Sequence, residues 1–259
     1  MILATWNVNS IKVRLPNVLQ YLKEYNPDVL VLQETKVTDD AFPSKAFTSI
    51  GYHSLYCGQK TYNGVAIITK TKPSSSNLNP VHIDKNEMRS IAIEYENVTI
   101  LNVYVVNGKS IDSDKYQYKL NWLKSLYDYS SKMLSKTDKF VILGDFNIAP
   151  SDSDVPDPQV CKNQILCSDR ERGSLKKITD LGLHDLFRNF DFPEKTYTWW
   201  DYRAGCFHRN IGYRIDLILA TKAIADQCKD YIIDKDTRHK SWCSEEPRTS
   251  DHAPVRIII

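Results

Sequence analysis

The chain has 259 residues, 42% of them hydrophobic and 25% charged, with a formal net charge of +2. This balance suits a folded protein with a sizeable core and excludes a disordered chain. The near-neutral total also excludes a strongly basic whole-molecule field, and the longest apolar runs, 29–32 and 140–143, are too short to cross a bilayer.

The opening residues read at once as a strand, with neither a basic leader nor a signal-like apolar segment, so a cytoplasmic protein is expected. Strand patterns, rich in β-branched residues and bounded by Gly, Pro, Asn or Asp, cover 2–8, 28–33, 52–57, 65–69, 90–95, 98–106, 140–144, 214–220 and 254–259. Tyr95-Glu96-Asn97-Val98 predicts a tight hairpin. Helical periodicity occurs at Val13, Val18, Leu19 and Leu22, and again at Tyr116, Leu120, Leu123, Leu126 and Tyr127. A third helix is expected from the capping box Ser168-Asp169-Arg170-Glu171 to about Leu181, before Gly182. The stretches 73–77 and 150–160 read as loops, and nothing divides the chain into domains. Many strands with interspersed amphipathic helices predict one α/β (α+β) domain, a four-layer αββα sandwich of two packed mixed sheets. Six scattered cysteines without Cys-x-x-Cys or zinc-finger spacing are expected to be reduced.

The informative residues stand where the strands stop. Residues 3–6 end in Asn7; 29–33 end in Glu34; 141–144 end in Asp145, with Asn147 two positions on. Residues 213–215 lead into Asp216, and Ser250-Asp251-His252 precedes the last strand. An acid or amide that terminates a buried strand is held at a sheet rim by a rigid element. Taken singly, such residues often only turn the chain. Five polar ends in one domain are harder to dismiss, and a set of Asp, Glu, Asn and one His suits Mg²⁺ or Mn²⁺ better than zinc.

The segments 7–11 (NVNSI), 32–36 (LQETK), 102–104 (NVY), 144–150 (GDFNIAP), 197–203 (YTWWDYR), 214–216 (RID) and 250–255 (SDHAPV) follow the order and spacing of a known family. The chain resembles the exonuclease III and abasic-site endonucleases of the endonuclease/exonuclease/phosphatase superfamily, whose fold is DNase I-like. The resemblance runs from the first strand to the last. It implies a DNA repair nuclease using Mg²⁺ or Mn²⁺, with 3′→5′ exonuclease, abasic-site endonuclease and 3′-end-cleaning activity. Its implied partner is double-stranded DNA with abasic sites or 3′ ends, approached by a monomer, with no membrane partner.

By that resemblance Glu34 is the principal metal ligand, with Asn7 and Asp251 in or near the metal's surroundings. Asp145 orients or deprotonates the attacking water beside Asn147, His252 binds the scissile phosphate, Asp216 fixes His252, and Tyr104 and Asn107 contact phosphate. The aromatic group Trp199, Trp200, Tyr202, Phe207 and Tyr213 reads as core on composition alone. The resemblance instead assigns Trp199, Phe207 and Tyr213 to a pocket for a base-free sugar, with Arg203, Arg209 and Arg214 as phosphate or structural partners. The chain departs from the commoner family pattern at Ser10, at Val106 and after Asn107, where Lys109 and Ser110 follow in place of an arginine. These departures leave open an exonuclease-dominant variant with weak abasic-site incision. Two other functions compete: a phosphoinositide- or sphingomyelin-type phosphodiesterase of the same superfamily, and a catalytically silent nucleic-acid-binding module.

Overall fold

A computed structural model describes all residues, 1–259. Its strands are β1 (Ile2–Asn7), β2 (Val29–Gln33), β3 (His53–Cys57), β4 (Val65–Thr69), β5 (Ser75–Leu78), β6 (Ser90–Tyr95), β7 (Val98–Tyr104), β8 (Phe140–Asp145), β9 (Leu183–Asp185), β10 (Asp216–Thr221), β11 (Asp230–Ile233) and β12 (Val255–Ile258). The helices are α1 (Ile11–Tyr25), α2 (Ser44–Thr48), α3 (Asp114–Leu134), α4 (Pro158–Cys161), α5 (Asp169–Thr179) and α6 (Lys222–Ala225). The strands form two six-stranded sheets, in the orders β11-β12-β1-β2-β4-β3 and β5-β6-β7-β8-β10-β9. Each is mixed, because β1–β2 and β7–β8 are parallel and their neighbours antiparallel.

Alternation along each strand decides what the two faces bury. Leu3, Val29, Val31, Val65 and Ile67 of one sheet meet Ile91, Ile93, Ile100, Val141 and Leu143 of the other in the central core. The opposite face of the first sheet, with Trp6, Leu30, Leu32 and Ile68, packs on Ile11, Val18, Tyr21 and Leu22 of α1. Leu101, Val103, Ile142, Leu217 and Leu219 cover the outer face of the second sheet and pack on Trp122, Leu123 and Leu126 of α3 and Ile178 of α5. Four layers result. Each fully buried Leu or Ile contributes roughly 1.5–3 kcal/mol of transfer free energy, so these interfaces dominate the fold's stability.

The expected helix at 168–181 forms as α5 with its capping box intact. The hairpin forms at Glu96 (φ 49°) and Asn97 (φ 62°), two left-handed residues joining β6 to β7. Two loop expectations are corrected: the stretch 150–160 ends in the first residues of the short α4, and residues 75–77 of the stretch 73–77 belong to β5, an exposed edge strand of Ser, Ser, Asn and Leu. Its solvated faces carry no apolar alternation for a sequence pattern to register. The three-residue β9, the β11 edge and the five-residue α2 were not expected either, each too short for a period to show. All six cysteines are free. No helix is long and apolar enough to cross a membrane.

A polar tie sets the two sheets against each other at one end. Gln33 Nε2 donates to Thr5 Oγ1 (2.9 Å) and to Asn102 Oδ1 (2.8 Å), while Asn102 Nδ2 donates to the carbonyls of Leu32 (3.0 Å) and Ala66 (2.9 Å). Hydrogen bonds that cross a buried apolar interface specify register more strictly than packing does. The residue that follows this tie is Glu34.

Candidate active site

The rim is built by strand register. Asp145 at the end of β8 lies opposite Tyr104 of β7 on one side and Asp216 of β10 on the other. On the facing sheet Asn7 lies opposite Gln33, which places Glu34 just beyond. Gly144 lets β8 come this close to β7, since a Cβ there would stand 2.0 Å from the Val103 carbonyl oxygen. His252 enters between the sheets through an isolated bridge to Trp199.

Glu34, Asp145 and His252 offer ligand atoms that all lie within 4.8 Å of one another. Asn7 Nδ2 donates to both Glu34 Oε1 and Asp145 Oδ2, at 2.9 Å each, holding two carboxylates together that would otherwise repel. His252 Nδ1 faces Asp216 (2.9 and 3.1 Å), which leaves Nε2 turned toward Asp145 Oδ2 at 3.9 Å, beyond hydrogen-bond reach. Asn147 donates its backbone N–H to Asp145 Oδ1 (2.8 Å) from a left-handed conformation, φ 49°. Its amide accepts from Asn107 Nδ2 (3.0 Å). Asn9, Glu34 and Lys36 are left-handed as well (φ 44°, 53° and 54°). Such conformations cost about 1–3 kcal/mol each and persist where surrounding contacts over-determine them.

The electrostatics are unbalanced. Burial, with the charges of Asp216 and Glu34, pushes Asp145 up to about 7, although His252 pulls the other way. Burial works against a charged His252, but the carboxylates of Asp216, Asp145 and Asp251 outweigh it and lift the imidazole to about 10. Glu34 stays below the ordinary carboxylate range because Lys36 (Nζ to Oε2, 2.7 Å) and Asn7 offset its burial. Burial and the neighbouring charges of Glu34 and Asp145 raise Tyr104 well above an ordinary phenol, so it keeps its proton. The rim therefore presents two or three acids, one imidazolium and a phenolic donor in a confined space. Oxygen donors with a single imidazole fit a hard divalent cation, which would relieve the crowding of acids.

Most of the predicted residues meet here, and the structure corrects two assignments. Arg214 is completely buried; its guanidinium pairs with Asp154 (2.6 Å) and with both oxygens of Asp185 (2.7 and 3.1 Å), so it cannot reach a substrate phosphate. Phe207 lies in a separate aromatic group with Trp200 and Ala253, whereas Trp199 and Tyr213 pack together (centroids 5.7 Å apart) over Ala149, Val155 and Ile215. Asn7 turns its amide nitrogen to the carboxylates and its oxygen to the Asn9 N–H (3.0 Å), which places it between two of the acids. Asp251 stands outside the triad, bound by Asn9 Nδ2 and Trp199 Nε1, both at 3.0 Å. Arg203 is exposed and forks onto Asp201. The exposed Asn107 remains at the rim.

Four further residues position the rim. Asn9 holds Asp251 and Lys36 (Nζ to Oδ1, 2.5 Å). Both lie inside the NVNSI and LQETK segments, which gave the signal. Lys119 and Glu171, both fully buried and ion-paired, gave none: Lys119 Nζ donates to the carbonyls of Asn107 (3.1 Å) and Asn147 (2.6 Å), fixing two rim loops. Arg170 to Glu171 read only as a helix cap, although Glu171 also takes the Leu166 N–H at 3.1 Å.

Comparison with known proteins agrees with this geometry. Residues 4–252 match the model of the "Endonuclease/Exonuclease/phosphatase family". An exodeoxyribonuclease III of Haemophilus influenzae is 33% identical, the alignment covering 97% of either chain, and an exodeoxyribonuclease of Bacillus subtilis is 32% identical over 100% of this chain and 99% of that one. Among solved structures, a 3′ phosphatase from Neisseria bound to a product DNA hairpin superposes with a TM-score of 0.95 at 42% identity, covering 100% of this chain and 99% of that one. An AP endonuclease from Archaeoglobus fulgidus gives 0.92 at 39% identity, with the same coverage.

Proposed function

Since this chain belongs to the endonuclease/exonuclease/phosphatase family, we propose that it is a DNA repair nuclease that hydrolyses phosphodiester bonds at the rim formed by Glu34, Asp145 and His252. Its substrate is double-stranded DNA carrying abasic sites or 3′ ends, and its activities are 3′→5′ exonuclease, abasic-site incision and removal of 3′-blocking groups. It acts as a monomer in the cytoplasm. The observation that carries this reading is the convergence of those three side chains within 4.8 Å, with Asp216 on the far nitrogen of the histidine.

Glu34 and Asp145 would hold Mg²⁺ or Mn²⁺, which supplies positive charge against the phosphate oxygens and the departing alkoxide. The chain's own groups supply the rest. Asp145, with one carboxylate oxygen left for the attacking water, orients it and accepts its proton. Asn107 and Asn147, bonded to each other, fix that water or a phosphate oxygen. His252, protonated and oriented by Asp216, directs Nε2–H at a non-bridging oxygen, and Tyr104 adds a second donor. These donors are preorganised, so charge that develops in the transition state meets them without rearrangement. Trp199 and Tyr213 pack together beside His252 (Trp199–His252 centroids 6.4 Å) and would meet a sugar that lacks its base. Arg203 remains a candidate phosphate contact at the surface.

The test compares three duplexes, carrying an abasic-site analogue, a recessed 3′-hydroxyl or a 3′-phosphate, with Mg²⁺ present and after chelation. Cleavage of at least one, lost with the metal, is expected. Hydrolysis of inositol phosphates or sphingomyelin with all three duplexes intact would contradict the substrate assignment, and inertness toward every substrate would favour a silent binding module.

A further inference from the structure

Beside the rim lies a cleft of about 780 Å³ lined by Arg14, Tyr202, Phe207, Arg238, Lys240 and Thr249, among others. Its arginines break a rule that the rest of the molecule keeps. Six arginines are buried or half-buried: Arg14, Arg89, Arg172, Arg214, Arg238 and Arg256. Four of them pair with a carboxylate, respectively Glu87, Asp152, Asp154 with Asp185, and Asp234. Arg14 and Arg238 pair with none, and both wall this cleft.

A guanidinium withdrawn from water without a counter-charge is costly, so it calls for an anion from outside. The protein's own contacts do not supply one. Arg14 spends its donors on the carbonyls of Asn9 (2.6 Å), Arg248 (3.1 Å) and Thr249 (3.2 Å) and on Tyr202 Oη (2.9 Å). Arg238 is 7% exposed and directs Nη1 to the Ser250 carbonyl and Thr249 Oγ1 (3.2 Å), while Nε and Nη2 make no hydrogen bond. The rings of Phe207, Tyr202 and Trp200 hold its charge at 4.9, 5.6 and 5.9 Å. Lys240, exposed on the same wall, forms no hydrogen bond or ion pair. The one acid in the lining, Asp201, is engaged by Arg203 at 2.6 Å. The cleft also adjoins the catalytic rim, since Thr249 stands two residues before Asp251.

We propose that the cleft walled by Arg14, Arg238 and Lys240 is a second binding site, for a backbone phosphate of the DNA strand that runs past the rim. The proposal rests on the DNA reading above. Arg238 and Lys240 contact the phosphate; Arg14 adds charge and, through the 248–250 backbone, ties the cleft to Asp251 and His252. A phosphate seated here fixes the register of the duplex against the scissile bond, a positional contact independent of base sequence.

Binding of a fluorescent duplex to the full chain is measured in chelator across a salt series, with single backbone linkages neutralised in turn as methylphosphonates. For the wild type, one neutralised linkage flanking the cleavage position is expected to cost several-fold in affinity. In Arg238→Gln and Lys240→Gln that linkage becomes silent, and the slope of log K against log salt falls by about 1. Unchanged slopes in both variants, with every linkage as costly as in the wild type, would overturn the proposal. If Arg238→Gln does not fold, Lys240→Gln decides alone, because its side chain supports nothing in the protein. Competition by inorganic phosphate that depends on Arg238, with the DNA slope unchanged, also overturns the backbone assignment. A wild-type protein that neither binds nor cleaves DNA fails the earlier reading instead, and the two failures are thereby distinguishable.

Discussion

Arg214 and Asp216 stand two residues apart on one strand approach, yet they belong to opposite kinds of buried charge. Around Arg214 the charges balance two against two: its fully buried guanidinium faces Asp154 and Asp185 at 2.6–3.1 Å, and Arg188 pairs with the same two acids. Burial disfavours the ionised Asp154, but Arg214 and Arg188 outweigh it and hold the carboxyl below its ordinary range. Around Asp216 the balance fails: Glu34, Asp145, Asp216 and Asp251 surround one imidazole, and Asp145 is pushed up to about 7. Matched buried charge is compensated within the fold, whereas unmatched buried charge is tolerated where a ligand completes it. The same contrast separates the paired arginines from Arg14 and Arg238.

The sharpest way to break the contrast is to remove one unmatched acid. Asp145→Asn should lower kcat by roughly 10³- to 10⁴-fold on the preferred duplex while leaving the denaturation midpoint within a few degrees of wild type. A folded variant with unreduced turnover would end the assignment of Asp145. Asp216→Asn leaves His252 in place without the partner that fixes its tautomer, and a loss of roughly 10²-fold is expected in single-turnover rates, with a downward shift of the imidazole titration seen by NMR. On the balanced side the signs exchange. Arg214→Met leaves Asp154 and Asp185 with Arg188 alone and should cost about 3–5 kcal/mol in urea unfolding, with kcat per folded molecule changed only a few-fold. A smaller effect follows from Asp154. Its folded pKa is depressed, so its contribution to stability is present above the unfolded value near 4 and is lost as pH falls through the folded value. The stability gap between wild type and Arg214→Met should therefore narrow below about pH 4, and a gap constant down to pH 2 would contradict the pairing.

Much of the rim is legible in the sequence because most of its polar side chains stand where an apolar strand starts or stops, a one-dimensional signal. Asn7, Glu34, Asp145 and Asp216 all lie at or next to strand ends, and the Asp216–His252 pair forms as expected. What pairs buried charges across the fold is not one-dimensional. The arginine of the RID segment looks identical whether it faces a phosphate or Asp154, 60 positions away. The Lys119–Glu171 tie joins two helices whose sequences show only amphipathic spacing. Phe207 reads with Trp199 because they are close in sequence, but the Arg203–Gly205 turn carries Phe207 to a different aromatic group. Short edge strands escape notice for a related reason: β5 is exposed along its whole length and buries nothing that a pattern could mark.

The central claim is that a divalent cation completes the acids gathered at the rim. Anomalous diffraction at the manganese edge, from crystals of the protein soaked in Mn²⁺, tests it without recourse to turnover. The account predicts a strong peak in contact with Glu34 and Asp145, absent from crystals of Glu34→Gln. Manganese bound only elsewhere, or a rim peak indifferent to that substitution, would contradict it.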